Sequence, residues 1–317
     1  MNENGGGMMA AENSAGRKRV DDTGALSRAL VILQCPVCQQ PLRLWGKSVL
    51  CPERHTFDLA RQGYLSLLSG QSRLGTGDTA QMVAARESFL ASGHYQPLGT
   101  ALAELAHCLA GEVGQQYVVD LAGGTGYYLS HVLDVLPGWT GVTVDASKFA
   151  VRAAARAHSR AAAIAADVWA ELPFANNSTA IVMSIFGPRN APEIERILRP
   201  GGVFIVVTPT DDHLRELVET LGLLSVDDRK QARLDAILKD FELIARPKTL
   251  TYSAAMTPHE IEQVVLMGPS ARHLDHDELA RRITGMPATQ PVTVSVRLAA
   301  YVVSRRSVHI GSVGGPA

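Results

Sequence analysis

Charge and aromatic residues are both scarce in this chain. Asp, Glu, Lys and Arg make up 19% of its 317 residues, and Phe, Trp and Tyr only 5%. The formal net charge of −1 excludes a protein that is basic over its whole surface, although not a local basic patch. No run of about 18 apolar residues occurs, which excludes a membrane-spanning helix. The segment Met1 to Ala25 lacks the apolar stretch of a secretory signal, so a cytoplasmic location is expected. Its Arg17-Lys18-Arg19 cluster reads as a solvated charge run, with a nucleic-acid arm as the alternative. The cysteines number four, Cys35, Cys38, Cys51 and Cys108. So few in a long chain without an export signal do not form a disulfide framework.

Apolar residues, rich in Ala, Leu and Val, supply 46% of the chain, enough for a sizeable core of helices and buried parallel strands. The length allows one large or two unequal domains. Residues 34–70 are dense in Cys, Pro, Gly and aromatics, with short strand-like pieces at Val49-Leu50 and Tyr64 to Leu68. That composition predicts a small module unable to bury a large core of its own. Helical spacing follows over Thr79 to Ala91 and about Gln96 to Ala110. Cys108 on the second helix reads as a small core residue. From residue 116 the chain alternates between strand and helix. Strands are predicted at Tyr117–Val119, Gly141–Val144, Ala161–Ala166, Ala180–Ser184 and Val203–Val207, then at Phe241–Tyr252 and Val292–Val303, with a helical region from Thr257 to Thr284 between the last two. Alternation of this kind implies crossover connections and a mostly parallel sheet.

In the first module the spacing is Cys35-x2-Cys38-x12-Cys51-x3-His55. Two thiolates from one tight turn, joined by a second pair after a hairpin-length gap, make a closed tetrahedral set suited to structural zinc. With every position filled by protein, no water can be activated there. Arg43, Lys47, Arg54, Arg61 and Arg73 outnumber Glu53 and Asp58 around it, a balance suited to phosphates. Trp45, Phe57 and Tyr64 are interleaved, either as bases' stacking partners or as a minimal core.

In the second module a strand runs into Asp120, then Ala122-Gly123-Gly124-Thr125-Gly126, then a helix from Tyr127. Glycines let a backbone approach a ligand, and a helix N-terminus offers unpaired N–H groups. Nicotinamide enzymes share such loops. The acidic residue before these glycines would repel a pyrophosphate, whereas the amino group of S-adenosylmethionine would welcome it. Asp145 ends the next strand, where it can accept from both ribose hydroxyls. Asp167 ends the third, where it can face the adenine amino group. These residues point to a methyltransferase, with another nucleotide-binding enzyme and a non-catalytic fold as the alternatives. Leu172-Pro173-Phe174 and Arg199-Pro200-Gly201-Gly202 resemble the fourth- and fifth-strand regions of class I methyltransferases. The fourth strand ends in Ile185-Phe186-Gly187-Pro188, not the motif of enzymes that methylate exocyclic amines, which favours a ring nitrogen or another acceptor. Phe186 reads either as a stacking surface for an extruded base or as plain core.

The Cys3His module, then Gly77-Asp78-Thr79-Ala80, Ala85-Arg86, Phe89-Leu90 and Gly93-His94-Tyr95-Gln96-Pro97-Leu98, resembles the RlmA/TlrB group of guanine-N1 methyltransferases of large-subunit ribosomal RNA. The resemblance runs from about residue 34 to about residue 304. It implies that Cys35, Cys38, Cys51 and His55 hold zinc, and that Tyr95, Gly124, Thr125 and His213 contact the cofactor. It also implies a homodimer that binds hairpin 35 of 23S rRNA, and resistance to tylosin- or mycinamicin-type macrolides. The expected fold is α/β: a class I, Rossmann-like methyltransferase with a mostly parallel seven-stranded sheet and a small N-terminal zinc-binding module. The expected organisation is a disordered tail over 1–33, an RNA-recognition zinc module over 34–70, a helical linker over 71–112, the methyltransferase domain over 113–304 and a flexible tail over 305–317. The expected cofactor site comprises Tyr95, Asp120, Gly123, Gly124, Thr125, Gly126, Asp145, Asp167 and His213. Ala122 departs from the group's first glycine, tolerable at negative φ. Asp78 and His94 are candidates for assisting N1 deprotonation, with capping and packing as their alternative roles. Two other functions compete: a small-molecule methyltransferase with an accessory zinc module, and a non-catalytic RNA-binding protein.

Overall fold

The structure, a computed structural model, describes residues 23–68, 77–111, 116–223, 236–268, 271 and 276–304. Residues 1–22 of the tail predicted over 1–33, the predicted tail at 305–317, Arg73 and most of the 70–78 connector lie outside them.

A run of buried strands forms the frame. β5 (Tyr117–Leu121), β6 (Thr140–Asp145), β7 (Ala161–Ala165) and β8 (Thr179–Ile185) are buried along their whole lengths. Apolar residues run on without alternation because both faces are covered. With β9 (Leu198–Pro209) and β12 (Gln290–Val303) they give the order β7-β6-β5-β8-β9-β12. Only β12 runs antiparallel to β9; the other pairs in that order are parallel. The chain fills one side of β5 and then crosses to β8 on the other. Ligands bind at such a reversal, beyond the carboxyl ends of the strands. The Arg199–Gly202 segment lies inside β9 as a bulge, where the pairing with β8 shifts register.

The sheet has nine strands among the described residues rather than the expected seven. The predicted Phe241–Tyr252 strand is two pieces, β10 (Phe241–Leu243) and β11 (Lys248–Met256), both paired with β12. Pro247 sits in the gap, where its missing N–H cannot serve a ladder. The other addition is β4 (Leu65–Ser66), which pairs in parallel with β7 at the opposite edge.

That edge strand belongs to the zinc module, whose three-stranded sheet is β1 (Arg43–Trp45), β2 (Ser48–Leu50) and β3 (Thr56–Asp58). The module does not stand apart with a minimal core. Leu42, Val49, Leu65, Cys35 and Cys51 share one buried cluster with Leu121, Val144, Ile164 and Phe174 of the large domain. Residues 23–33 are likewise not a disordered tail. Helix α1 (Thr23–Ala29) and its continuation bury Leu26, Ala29, Leu30 and Leu33 in that cluster. Their spacing is that of one helical face, and Tyr117 Oη donates to the Arg28 carbonyl at 3.2 Å.

The other sheet face is covered by α3 (Gln96–Leu109) and α4 (Tyr127–Val135), through Leu98, Leu102, Leu129 and Leu133 against Val118, Ile181 and Ile205. Cys108 is exposed, because the buried face of α3 is the Leu98-Leu102-Ala106 line. Helix α2 (Ala80–Ala91) is capped by Thr79, whose hydroxyl accepts from the Met82 N–H. It packs with α7 (Arg215–Leu221), α8 (Pro258–Leu266) and α9 (His276–Thr284) in a third cluster near the carboxyl end of the sheet. Helices α5 (Lys148–Ala154) and α6 (Ala191–Ile197) complete the crossovers. Among the described residues, no helix is long and apolar enough to cross a membrane.

Candidate functional site

The turn after β5 holds the glycines expected to bind the cofactor. Gly123 cannot be replaced there: a Cβ would lie 2.5 Å from Asp120 Oδ2 and 2.9 Å from Thr143 Cγ2. Gly124 adopts φ +57 and donates its N–H to Asp145 Oδ2 at 3.0 Å. Gly126, at φ +78, starts α4, and Thr125 is buried between them. The condition set for Ala122 is not met, because its φ is +53. An L-residue in this left-handed region is strained by about 1–2 kcal/mol, part of which glycine's larger backbone entropy offsets. Ala122→Gly is therefore expected to stabilise the fold by about 0.5–1 kcal/mol, which a urea melt would measure; an unchanged midpoint would refute the strain.

Asp120 is buried, and neither carboxylate oxygen has a hydrogen-bond partner among the described residues. Burial, reinforced by repulsion from Asp145, pushes its carboxyl up to about 8. A buried acid left this way fits a cationic ligand group. Asp145 Oδ1 accepts from the Ser147 N–H at 2.8 Å. Burial raises its pKa as well, against the lowering effect of the Ser147 and Gly124 N–H bonds. Each oxygen keeps a further lone pair that a ribose hydroxyl could use. Asp167 Oδ1 accepts from the Trp169 N–H at 2.9 Å, closing the turn after β7. Asp120, Asp145 and Asp167 thus stand at the carboxyl ends of three adjacent strands.

Tyr95 and His213 meet beside Phe186. Tyr95 Oη lies 3.2 Å from His213 Nε2, and the Ser295 N–H donates to His213 Nδ1 at 3.3 Å. That second bond assigns the proton of a neutral ring to Nε2. Burial raises the Tyr95 phenol far above its ordinary range. Phe186 stacks on His213 with ring centres 5.7 Å apart. It is 39% exposed at the end of β8 and holds φ +55, with its N–H bonded to the Val207 carbonyl. The next residue, Gly187, packs against the cofactor turn; a Cβ there would lie 3.2 Å from the Leu121 carbonyl and 3.3 Å from Ala122 Cβ. An open aromatic shelf therefore adjoins the glycine turn.

Neither candidate for proton removal is free. Asp78 pairs with Arg86 at 2.5 Å, and His94 Nε2 lies 3.1 Å from Glu260 Oε1. Arg86, which sequence reasoning did not place among the site residues, lies against Gly124, with Nη1 3.0 Å from where a Cβ would stand. It was visible only as part of a motif, and its role depends on where α2 packs.

Cys35, Cys38, Cys51 and His55 bring their ligand atoms within 4.8 Å of one another. Cys38 Sγ to Cys51 Sγ is 3.5 Å, and Cys51 Sγ to His55 Nδ1 is 3.4 Å. A tetrahedron about zinc, with bonds of about 2.3 Å to sulfur and about 2.0 Å to nitrogen, has edges of this size. The ligand turns are tight: Gln39 (φ +58) and Arg54 (φ +64) are left-handed, and the Cys51 N–H donates to the His55 carbonyl at 3.1 Å. Beside the cluster, Trp45 is 67% exposed and the Arg43 guanidinium lies 6.0 Å from its ring centre. Phe57 instead packs on the core.

The sequence profile described as RlmA, N-terminal, a zinc ribbon, matches residues 33–73. A Streptomyces fradiae protein named 23S rRNA (guanine(748)-N(1))-methyltransferase is 48% identical over 83% of this chain and 94% of its own length. A Micromonospora griseorubida protein provisionally named 23S rRNA (guanine-N(1)-)-methyltransferase is 45% identical over 85% of this chain and 96% of its own. A Bacillus subtilis protein, YxjB, with the same provisional name, is 32% identical over 78% and 90%.

Proposed function

The chain belongs to the RlmA/TlrB family of 23S rRNA (guanine-N1)-methyltransferases, and from that membership we propose that it methylates N1 of a guanine in hairpin 35 of 23S rRNA. The proposed methyl donor is S-adenosylmethionine, and zinc is the structural metal. The observation that carries the reading is the Phe186–His213 shelf beside the Ala122–Gly126 turn. A flat base can be presented there to a donor lying along the turn.

The residues divide the work. Asp145 takes the ribose hydroxyls, Asp167 faces the adenine, Asp120 faces the amino group, and Tyr95 and His213 line the methionine end. With Nδ1 accepting from the Ser295 N–H and the proton on Nε2 directed at the Tyr95 hydroxyl, His213 has no ring nitrogen left to act as a base. S-adenosylmethionine, when bound, would supply a sulfonium methyl: the N–C bond would form at N1 as the C–S bond breaks, leaving S-adenosylhomocysteine, and the N1 proton would pass to solvent, since Asp78 and His94 are engaged with Arg86 and Glu260. Catalysis is chiefly alignment of the two reactants. N1 lies on the pairing edge, so the guanine must be unpaired or extruded to reach the shelf. Zinc holds the ribbon, and the exposed Trp45–Arg43 pair meets RNA. A homodimer is part of the proposal. Val31, Val37 and Trp45, each a large exposed apolar side chain in or beside the ribbon, support it. The proposed setting is the cytoplasm, and the proposed consequence is resistance to tylosin- or mycinamicin-type macrolides.

Base–aromatic stacking contributes about 1–3 kcal/mol. Phe186→Ala is therefore expected to slow methyl transfer to RNA by about 10- to 100-fold while cofactor binding stays within about twofold. Unchanged transfer would remove Phe186 from the acceptor site. Labelled methyl from S-adenosylmethionine, offered 23S rRNA beside a pool of small metabolites, should appear in the RNA. Label in a metabolite alone would favour a small-molecule methyltransferase, and no label anywhere a non-catalytic RNA-binding protein.

A further inference from the structure

Two consecutive glycines of the turn face opposite charges. Gly123 lies over Asp120, whose Oδ2 would be 2.5 Å from a Cβ at that position. Gly124 lies against Arg86, whose Nη1 would be 3.0 Å from a Cβ there. Two other groups hold the guanidinium: the same Nη1 pairs with Asp78 Oδ2 at 2.5 Å, and Nη2 donates to the Met267 carbonyl at 2.9 Å. Asp78 is itself tied to the Asp145 loop, its carbonyl accepting from Ser147 Oγ at 2.6 Å. A guanidinium has more N–H donors than these contacts use. Asp120, for its part, is a buried carboxylate with no hydrogen-bond partner among the described residues.

A carboxylate and a guanidinium on the faces of adjacent glycines suit an α-amino acid zwitterion, with its ammonium toward the first and its carboxylate toward the second. We propose that Arg86 binds the carboxylate of the cofactor's methionine moiety while Asp120 faces its ammonium. The inference rests on the reading that the cofactor lies along the Ala122–Gly126 turn. A planar guanidinium fixed by Asp78 and Met267 is preorganised to donate its remaining N–H groups to a carboxylate, which an ammonium on a flexible stem is not. The purely structural role, pinning α2 to the end of α8, predicts no dependence on the ligand's carboxylate.

Calorimetric titration separates the two. The ligands are S-adenosylmethionine and its decarboxylated analogue, which keeps the adenosine, sulfonium and amine. The wild-type protein should prefer S-adenosylmethionine by about tenfold or more. Arg86→Gln should lose that preference, its affinity for the analogue staying within about twofold of wild type, and Arg86→Lys should recover part of it. Because the preference is a ratio within one protein, a general loss of stability does not produce it. Arg86→Gln weakening both ligands alike, or neither, overturns the proposal. If Asp145→Ala leaves both affinities unchanged, the placement of the cofactor along the turn fails too.

Discussion

Replacing Cys51 with Ser is expected to lower the stability of the whole protein by several kcal/mol, visible as a fall of roughly 10 °C or more in the melting temperature. Two effects add. Structural zinc sites contribute folding free energy directly, and losing one of their ligands forfeits most of it. Cys51 also lies in the cluster that joins Val49 and Leu65 of the ribbon to Ile164 and Val144 of the catalytic sheet. A ribbon hung on a linker would melt by itself and leave the cofactor domain intact. Here the ribbon contributes β4 to the same sheet and shares its core, so the loss should reach the S-adenosylmethionine site. Calorimetry of the variant with and without cofactor checks this. A separate, unshifted transition that still responds to cofactor would show that the ribbon and the catalytic domain are energetically independent. Chelation of zinc from the wild type should move the melt in the same direction.

Asp145→Ala is expected to weaken cofactor binding by at least about a hundredfold. The buried carboxylate offers charge-assisted hydrogen bonds to two ribose hydroxyls, each contributing about 1.5–3 kcal/mol. Its removal also leaves the Gly124 and Ser147 N–H groups without their acceptor, so the turn loses its shape along with the contact. Asp145→Asn keeps an acceptor oxygen and should fall in between. Equilibrium binding of S-adenosylmethionine measures both variants. An Asp145→Ala affinity within about threefold of wild type would place the ribose elsewhere.

The parts of the fold that could be read from the sequence are those in which local pattern and tertiary role coincide. β5 to β8 are largely apolar runs, buried from end to end because both sheet faces are covered, and Thr79 caps the helix that its position predicts. The Cys-x2-Cys and Cys-x3-His spacing picked out the four side chains whose ligand atoms the fold brings within 4.8 Å of one another. Elsewhere the pattern was too short or lay in a misleading context. Leu26, Ala29, Leu30 and Leu33 carry a helical stripe, but beside the Arg17-Lys18-Arg19 tail it passed for disorder. β4 pairs through two residues, which no periodicity can reveal. Ala122 and Phe186 are left-handed although nothing in their side chains asks for it; the close approach of the two turns, Gly187 against Ala122, accompanies both. Arg86 acquires its place only when α2 packs against α8 and the glycine turn. The aspartates were legible as strand ends, whereas the charge pairing across Gly123 and Gly124 was not.

The claim at the centre of the account is that the donor beside the glycine turn delivers its methyl to N1 of a guanine in 23S rRNA. Methylation of N1 blocks pairing, so reverse transcriptase copying 23S rRNA from cells that express the protein should stop at a guanine of hairpin 35. The stop should vanish with Asp145→Ala. A relative of 48% identity is named for guanine 748, and the position of the stop shows whether this chain shares that target. Full-length copies through hairpin 35, from RNA of cells making folded, cofactor-binding protein, would contradict the account.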